Sequence, residues 1–241
     1  MPELRLTHET LTYEIQRRRR RTVGVLVRRD GRVEVVAPLR TPQGEVRRIV
    51  DGFLPWIEKK RAEAKERARR RRIRQFDDGE TIPFLGETLR LRVVQSDRPP
   101  VDGIVRDGGE LTVRVPVGLS TPSRRAVVRY AILHWLLERA REVFHERHVL
   151  ASKRVGRAAK RVVIKDMASR WGSCGPKRRM SLNWRLVLAP PAIVDYVLVH
   201  ELCHIHEANH SPAFWKRVAS ACDHWRKSRA WLRRHGDELE L

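Results

Sequence analysis

The run His200-Glu201-Leu202-Cys203-His204 places two imidazoles four residues apart with a carboxylate beside the first. Residues four apart share one face of a helix, so both rings can meet a single metal ion while Glu201 reaches a water held there. A third histidine, His210, follows six residues after His204. A catalytic zinc takes three protein ligands and leaves its fourth position to water, and His200, His204 and His210 would fill the three. Zinc (Zn2+) held this way lowers the pKa of such a water to about 7; Glu201 would take the proton during attack on a carbonyl and return it to the leaving amine. The plainer alternative is a pair of ordinary helix histidines facing solvent or a core hydrogen bond. For the third ligand the rivals to His210 are His206, Glu207, Glu238 and Glu240. Cys203 lies inside the run but falls on a different face from the two histidines, which points to core packing.

In a chain of this composition an accidental His-Glu-x-x-His has a probability of roughly 0.03, so the surrounding elements must carry part of the argument. Residues 192–206 contain neither Gly nor Pro, Pro190-Pro191 stands where a helix would begin, and Ile193, Val194, Val197 and Leu198 form an apolar stripe. This predicts a buried helix that presents the histidines. Beyond His204, Asn209 tolerates the left-handed conformation that would turn the chain back and bring His210 to the metal.

Four stretches together resemble a known family: Ser169-Arg170-Trp171-Gly172-Ser173-Cys174, then Ser181 to Leu186, then Asp195 to His204, then Asn209 to Trp215. They look like the YgjP-like metal-dependent hydrolases, relatives of the SprT and WLM zinc metallopeptidases. The resemblance is close over about residues 160–235 and looser through the amino-terminal half, which has a basic strand pair, Pro38, and Trp56-Ile57 leading a charged helix. It implies an α+β, zincin-like metallopeptidase domain with an amino-terminal mixed strand and helix region. In it His200, His204 and His210 bind zinc and Glu201 is catalytic. The chain departs from the metzincin pattern, which has Gly midway between the second and third histidines, because Glu207 stands there.

At 241 residues and 41% hydrophobic content the chain can build one large domain or two small ones. The expected division is residues 1–118, β-rich with a basic helix, and residues 119–241, the zincin-like catalytic part. No signal peptide or run of about 18 apolar residues is present, so no membrane partner and a cytoplasmic location are expected. Three cysteines without a Cys-x-x-Cys pair argue against a disulfide framework or a cysteine zinc finger.

Strands are predicted at 11–15, 22–27, 32–37, 81–94 around Gly86, 111–115, 162–164 and 181–186, with a loop over 96–109. Helices are predicted over 44–74 and 123–148, the latter with Val127, Ile132, Leu133, Trp135, Leu136 and Val143 turned inward. Since an extended substrate commonly pairs with an edge strand, 181–186 is the candidate for main-chain recognition.

The net charge of +22 gathers in 17–21, 59–74 and 153–161 and calls for an acidic partner. Nonspecific nucleic acid fits, with Trp171, Trp184, Trp215 or Trp225 available for stacking if exposed; solvated helix faces are the bland account. Three functions follow. One is a zinc metallopeptidase acting on a protein or peptide, near nucleic acid. The second is a metal-dependent hydrolase of a phosphate-bearing small molecule such as a nucleotide. The third is a non-catalytic nucleic-acid-binding module. Glu201 beside the histidines counts against the third, because a structural site needs no base.

Overall fold

The computed structural model describes residues 4–8, 11–28, 30–70, 74–97, 104–167, 169–175 and 177–241, with 4–8 and 67–70 described by backbone alone. Contacts divide the chain into two compact units, residues 1–72 and 73–241. The sequence reading places the boundary at 118/119. The division falls earlier because Ile82, Leu89, Leu91, Leu111, Val113 and Val115 share one core with the helices that follow.

In the first unit, strands β1 (Leu4–His8), β2 (Leu11–Arg18), β3 (Gly24–Val27) and β4 (Val33–Pro38) form a sheet in the order β1-β2-β4-β3. The period of two puts Leu11, Tyr13, Ile15, Val33, Val35 and Ala37 on one face, where they share a core with Val46, Val50 and Ile57 of the helices α1 (Gln43–Gly52) and α2 (Leu54–Arg70). The predicted single helix over 44–74 is thus two, and its residues 71–73 lie outside the described ones. Pro55 explains the break: a proline within a helix lacks the N–H and clashes with the carbonyl four residues back, whereas one in a first turn is tolerated.

In the second unit, β5 (Thr81–Phe84), β6 (Glu87–Ser96), β7 (Ile104–Asp107) and β8 (Glu110–Pro116) form a sheet in the order β5-β6-β8-β7. The parallel pair at its centre sets Leu91 against Leu111 and Val93 against Val113. In the first sheet the parallel pair β2 and β4 sets Tyr13 against Val33 and Ile15 against Val35, each position 78 residues earlier. The strand β7 corrects the loop predicted over 96–109. Four residues between Pro-, Asp- and Gly-rich segments are too few to show a period.

The long helix α3 (Thr121–Val155) starts on the Ser120 hydroxyl, which accepts the Ser123 N–H, and ends at Gly156, whose φ of 76° is the left-handed stop that glycine permits. Val128, Ile132, Leu136, Ala140 and Phe144, four apart, are its buried stripe. Val127, predicted inward, is one position out of that phase and 39% exposed. A third sheet follows from β9 (Arg161–Lys165), β10 (Gly172–Cys174) and β11 (Arg179–Asn183) in the order β10-β11-β9, then a 3-10 turn over Trp184–Leu188. Helices α4 (Pro191–Cys203), α5 (Pro212–Ala221) and α6 (Trp225–His235) complete the chain. The fold is α+β. Among the described residues no helix is long and apolar enough to cross a membrane.

Candidate metal centre

The predicted buried helix is α4. Pro190 and Pro191 open it, and Ile193, Val194, Val197, Leu198, Val199, Leu202 and Cys203 are buried around its circumference. Arg147 of α3 pairs with Asp195 at 2.8 Å, an ion pair between half-buried side chains that fixes the rotation of α4. The helix ends at Cys203, with His204 as its cap residue. Successive bonds from Ile205 N–H to Leu202 O and from His206 N–H to Cys203 O, both 3.0 Å, then tighten the chain into a turn. Asn209 is not among the described non-glycine residues with positive φ, which are Phe76, Leu85 and Arg178. The expected left-handed Asn209 is therefore replaced by this 3-10-like tightening. Ser211 accepts the Phe214 N–H and starts α5, leaving His210 just ahead of it.

His200, His204 and His210 come together, with one ring nitrogen of each within 4.8 Å of the other two. The Nε2 atoms of His200 and His210 stand 3.0 Å apart. His204 donates through Nδ1 to the Glu207 carbonyl at 3.1 Å, and that bond leaves Nε2 as the free acceptor. Phe214 packs against all three rings, at 5.0, 4.5 and 4.7 Å between centroids. Trp215 stacks on His210 at 5.6 Å and on Trp225 at 4.8 Å. Burial, then the neighbouring histidines and Arg229, push His200 down to about 3 and lower His210 as well, so both are neutral at pH 7.

These residues fit a divalent transition metal. Three imidazoles converge without a carboxylate to compete, and Nδ1 of His200 is buried without a hydrogen-bond partner. None of the rival ligands joins them. His206 turns to the backbone of Val155, Glu207 faces Arg217 at 3.9 Å, and Glu238 pairs with His235 at 3.1 Å. Glu240 is not part of the group, and Cys203 is fully buried in the core.

Glu201 is 7% exposed, and the strand β10 crosses directly over it. A Cβ at position 172 would lie 2.7 Å from Glu201 Cγ and 2.8 Å from its Oε1. Only glycine lets the two approach so closely. The Cys174 N–H donates to the carboxylate, and burial raises Glu201 to about 7 against the opposing pull of Arg170 and that N–H. Cys174 itself has a thiol pushed up to about 11 by burial. Replacing Gly172 with Ala is expected to push Glu201 aside and lower kcat by roughly a hundredfold, the usual cost of misplacing a reacting group by about 1 Å. Bound metal should be unchanged in that variant. Elemental analysis beside a rate measurement checks the pair of outcomes, and an unimpaired rate would show that the close approach does not matter.

The predicted recognition strand needs correction. Residues 179–183 form β11, whose two edges are occupied by β9 and β10, and residues 184–186 belong to the 3-10 turn. Among the described residues both outer strands, β9 and β10, have an unpaired edge, and β10 is the one that lines the cleft around the histidines. Asn183 N–H bonds to Trp171 O and Gly175 N–H to Arg179 O, so the alternation of an antiparallel ladder turns the main chain of Gly172 and Cys174 away from β11. Cys174 spends its N–H on Glu201, and Gly172 keeps its main-chain groups on the open side. In sequence Trp171-Gly172-Ser173-Cys174 gives no strand signal, because three residues show no period. Buried Asn183 anchors the approach to β10 by donating to the carbonyls of Met167 (2.8 Å) and Arg170 (3.2 Å).

Around the histidines lies a cleft of about 780 Å³ between β10, α4 and α6, with Tyr196, Arg170, Arg229 and Arg233 among its lining. Tyr196 is 5% exposed, and burial pushes its phenol up to about 12, which keeps it a hydrogen-bond donor. His224 lies against the carbonyl of Ala192 at 3.3 Å and is not among the residues lining the cleft.

A family model described as YgjP-like, metallopeptidase domain, matches residues 21–235. No curated protein and no solved structure matches the chain.

Proposed function

Because the chain belongs to the YgjP-like metallopeptidase family, with the zincin-like α+β fold that goes with it, we propose that it is a zinc peptidase whose base is Glu201 and whose metal ligands are His200, His204 and His210. The observation that carries the proposal is the placing of Glu201, held by β10 and adjacent in the chain to a group of three converging histidines. Zinc bound there would polarise the scissile carbonyl and acidify a water. The protein's own groups do the remainder. Glu201 accepts the proton of the attacking water and delivers it to the leaving amine, with one carboxylate oxygen fixed by the Cys174 N–H. The main chain of Gly172 pairs with the extended substrate and sets its carbonyl across the cleft. Tyr196 lines the same cleft as a neutral donor within reach of developing charge.

The basic surface supports a location near nucleic acid. Half of the net charge of +22 lies in residues 1–72, and a depression of about 510 Å³ there gathers Arg18, Arg19, Arg20 and Arg28 beside Gln16 and Thr22. Guanidinium groups spaced along such a surface engage phosphates without reading sequence. Reduced, unpaired Cys174, Cys203 and Cys222 suit a cytoplasmic setting.

The test is digestion of an unfolded protein substrate by the purified chain, with metal removed by a chelator and then restored as zinc. Cleavage is expected to vanish on removal and return on addition, and to rise with single-stranded DNA present. Equal cleavage by the metal-free and zinc-loaded protein would remove the proposal.

A further inference from the structure

We infer that the cleft selects a substrate carrying a carboxylate beside the scissile bond, read by Arg229 and Arg233 of α6 with Arg170 opposite; this rests on the peptidase reading above. The charge distribution in the cleft is one-sided. Arg170, Arg229 and Arg233 line it, and its one carboxylate, that of Glu201, is buried and held by the Cys174 N–H.

Elsewhere in this unit arginines near acids are paired: Arg125 with Asp77, Arg147 with Asp195, and Arg185 with Asp166. Among the described residues the three cleft arginines have no ion-pair partner. Unmatched cations are thus collected at the place where a ligand must enter, and the one acid in the lining, Glu201, is buried. A like-charged basic side chain would be repelled there, and an acid would find its counterions already in position.

Arg229 is the best defined of the three. Its guanidinium lies 4.7 Å above Trp215, which is itself stacked on Trp225. A guanidinium held over a ring can still offer its N–H edge to a carboxylate in a two-pronged bond. The same Trp215 ring stacks on His210, so the carboxylate reader and a metal ligand are held at a fixed spacing by one side chain. Arg229 is also near enough to act electrostatically on both His200 and His210. Arg233 follows one helical turn later, on the same wall. The backbone of Arg170 is pinned by Asn183, which places the third charge beside β10, where the substrate main chain would run.

The test uses zinc-loaded protein and peptides that differ by one residue beside the cleaved bond, Glu against Gln, each with a free or an amidated carboxyl terminus. Wild type is expected to favour the carboxylate-bearing member by about tenfold or more in kcat/KM, the worth of one charge-assisted pair. Arg229→Gln is expected to reduce that ratio towards one. A preference that follows the side chain assigns an internal acidic residue, and one that follows the free terminus assigns a terminal carboxylate; either supports the inference. A wild-type ratio near one for both overturns it. If no peptide is cleaved at all, the peptidase reading fails separately, and binding of the same peptides to Glu201→Gln protein decides the rest. Tighter binding of the acidic members, weakened by Arg229→Gln and by Arg233→Gln, upholds the selection, and equal binding ends it. Arg233→Gln, on the exposed end of α6, serves where Arg229→Gln disturbs the tryptophan stack.

Discussion

Glu201→Gln is expected to lower kcat by about a thousandfold while the protein keeps its metal, because general acid–base catalysis contributes roughly 10²–10⁴ and an amide cannot carry the proton. The substitution is close to isosteric. Gln fits the space that Gly172 leaves open and can still accept the Cys174 N–H through its carbonyl oxygen. Geometry is therefore preserved while proton transfer is lost. The variant should be at least as stable as wild type, since it replaces a buried carboxylate, which loses hydration on folding, with a neutral group. Rate, zinc content and thermal melting measured on one preparation give the complete pattern. Activity above a tenth of wild type would remove Glu201 from the mechanism; lost activity with lost zinc would make its role structural.

The second large effect is expected from His210→Ala. His200 and His204 sit at the end of α4 and its cap, held by a buried helix, whereas His210 is an exposed residue carried by the short connection to α5. Its removal should leave the fold intact and take away one of three ligands. Loss of a residue that merely orients a ligand typically costs ten- to a hundredfold in metal affinity, so loss of the ligand itself should cost more than about a hundredfold. Competition against a chromogenic chelator measures this directly. An affinity equal to wild type would move the third ligand to another residue. Retained folding, followed by circular dichroism, separates a lost ligand from a lost structure.

The metal helix and its three histidines were legible from the sequence for one physical reason. Four-residue spacing inside an uninterrupted apolar helix leaves few ways to arrange the rings, and Pro190-Pro191 marks where the helix starts. Most strands of the two four-stranded sheets were legible from their period of two. What failed to show was short or was set by tertiary contact. β7 and β10 have four and three residues, and β10 matters because of what lies under Gly172, which no local pattern encodes. The route to His210 was expected through Asn209 and instead uses i→i+3 bonds after Leu202, a choice made by packing around Phe214. Arg229 and Arg233 look in sequence like an ordinary basic helix face. The placing of Arg229 comes from Trp215, which lies more than ten residues away along the chain, and that of Arg233 from the helical turn that separates it from Arg229.

The two four-stranded sheets share strand order, strand directions and central register at a displacement of 78 residues, and the likeness extends to composition. Val33, Val35, Ala37 and Pro38 answer to Leu111, Val113, Val115 and Pro116, and each sheet is followed by a helix with proline at its start, Pro42 before α1 and Pro122 within the first turn of α3. One strand pattern is thus used twice, in two different cores. The later sheet shares its core with the helix that carries His200. The earlier sheet packs on its own helices, supplies none of the three clustered histidines among the described residues, and carries the run Arg17 to Arg21. The chain thus holds the same architectural idea twice, once in the unit with the histidine cluster and once in a strongly basic one.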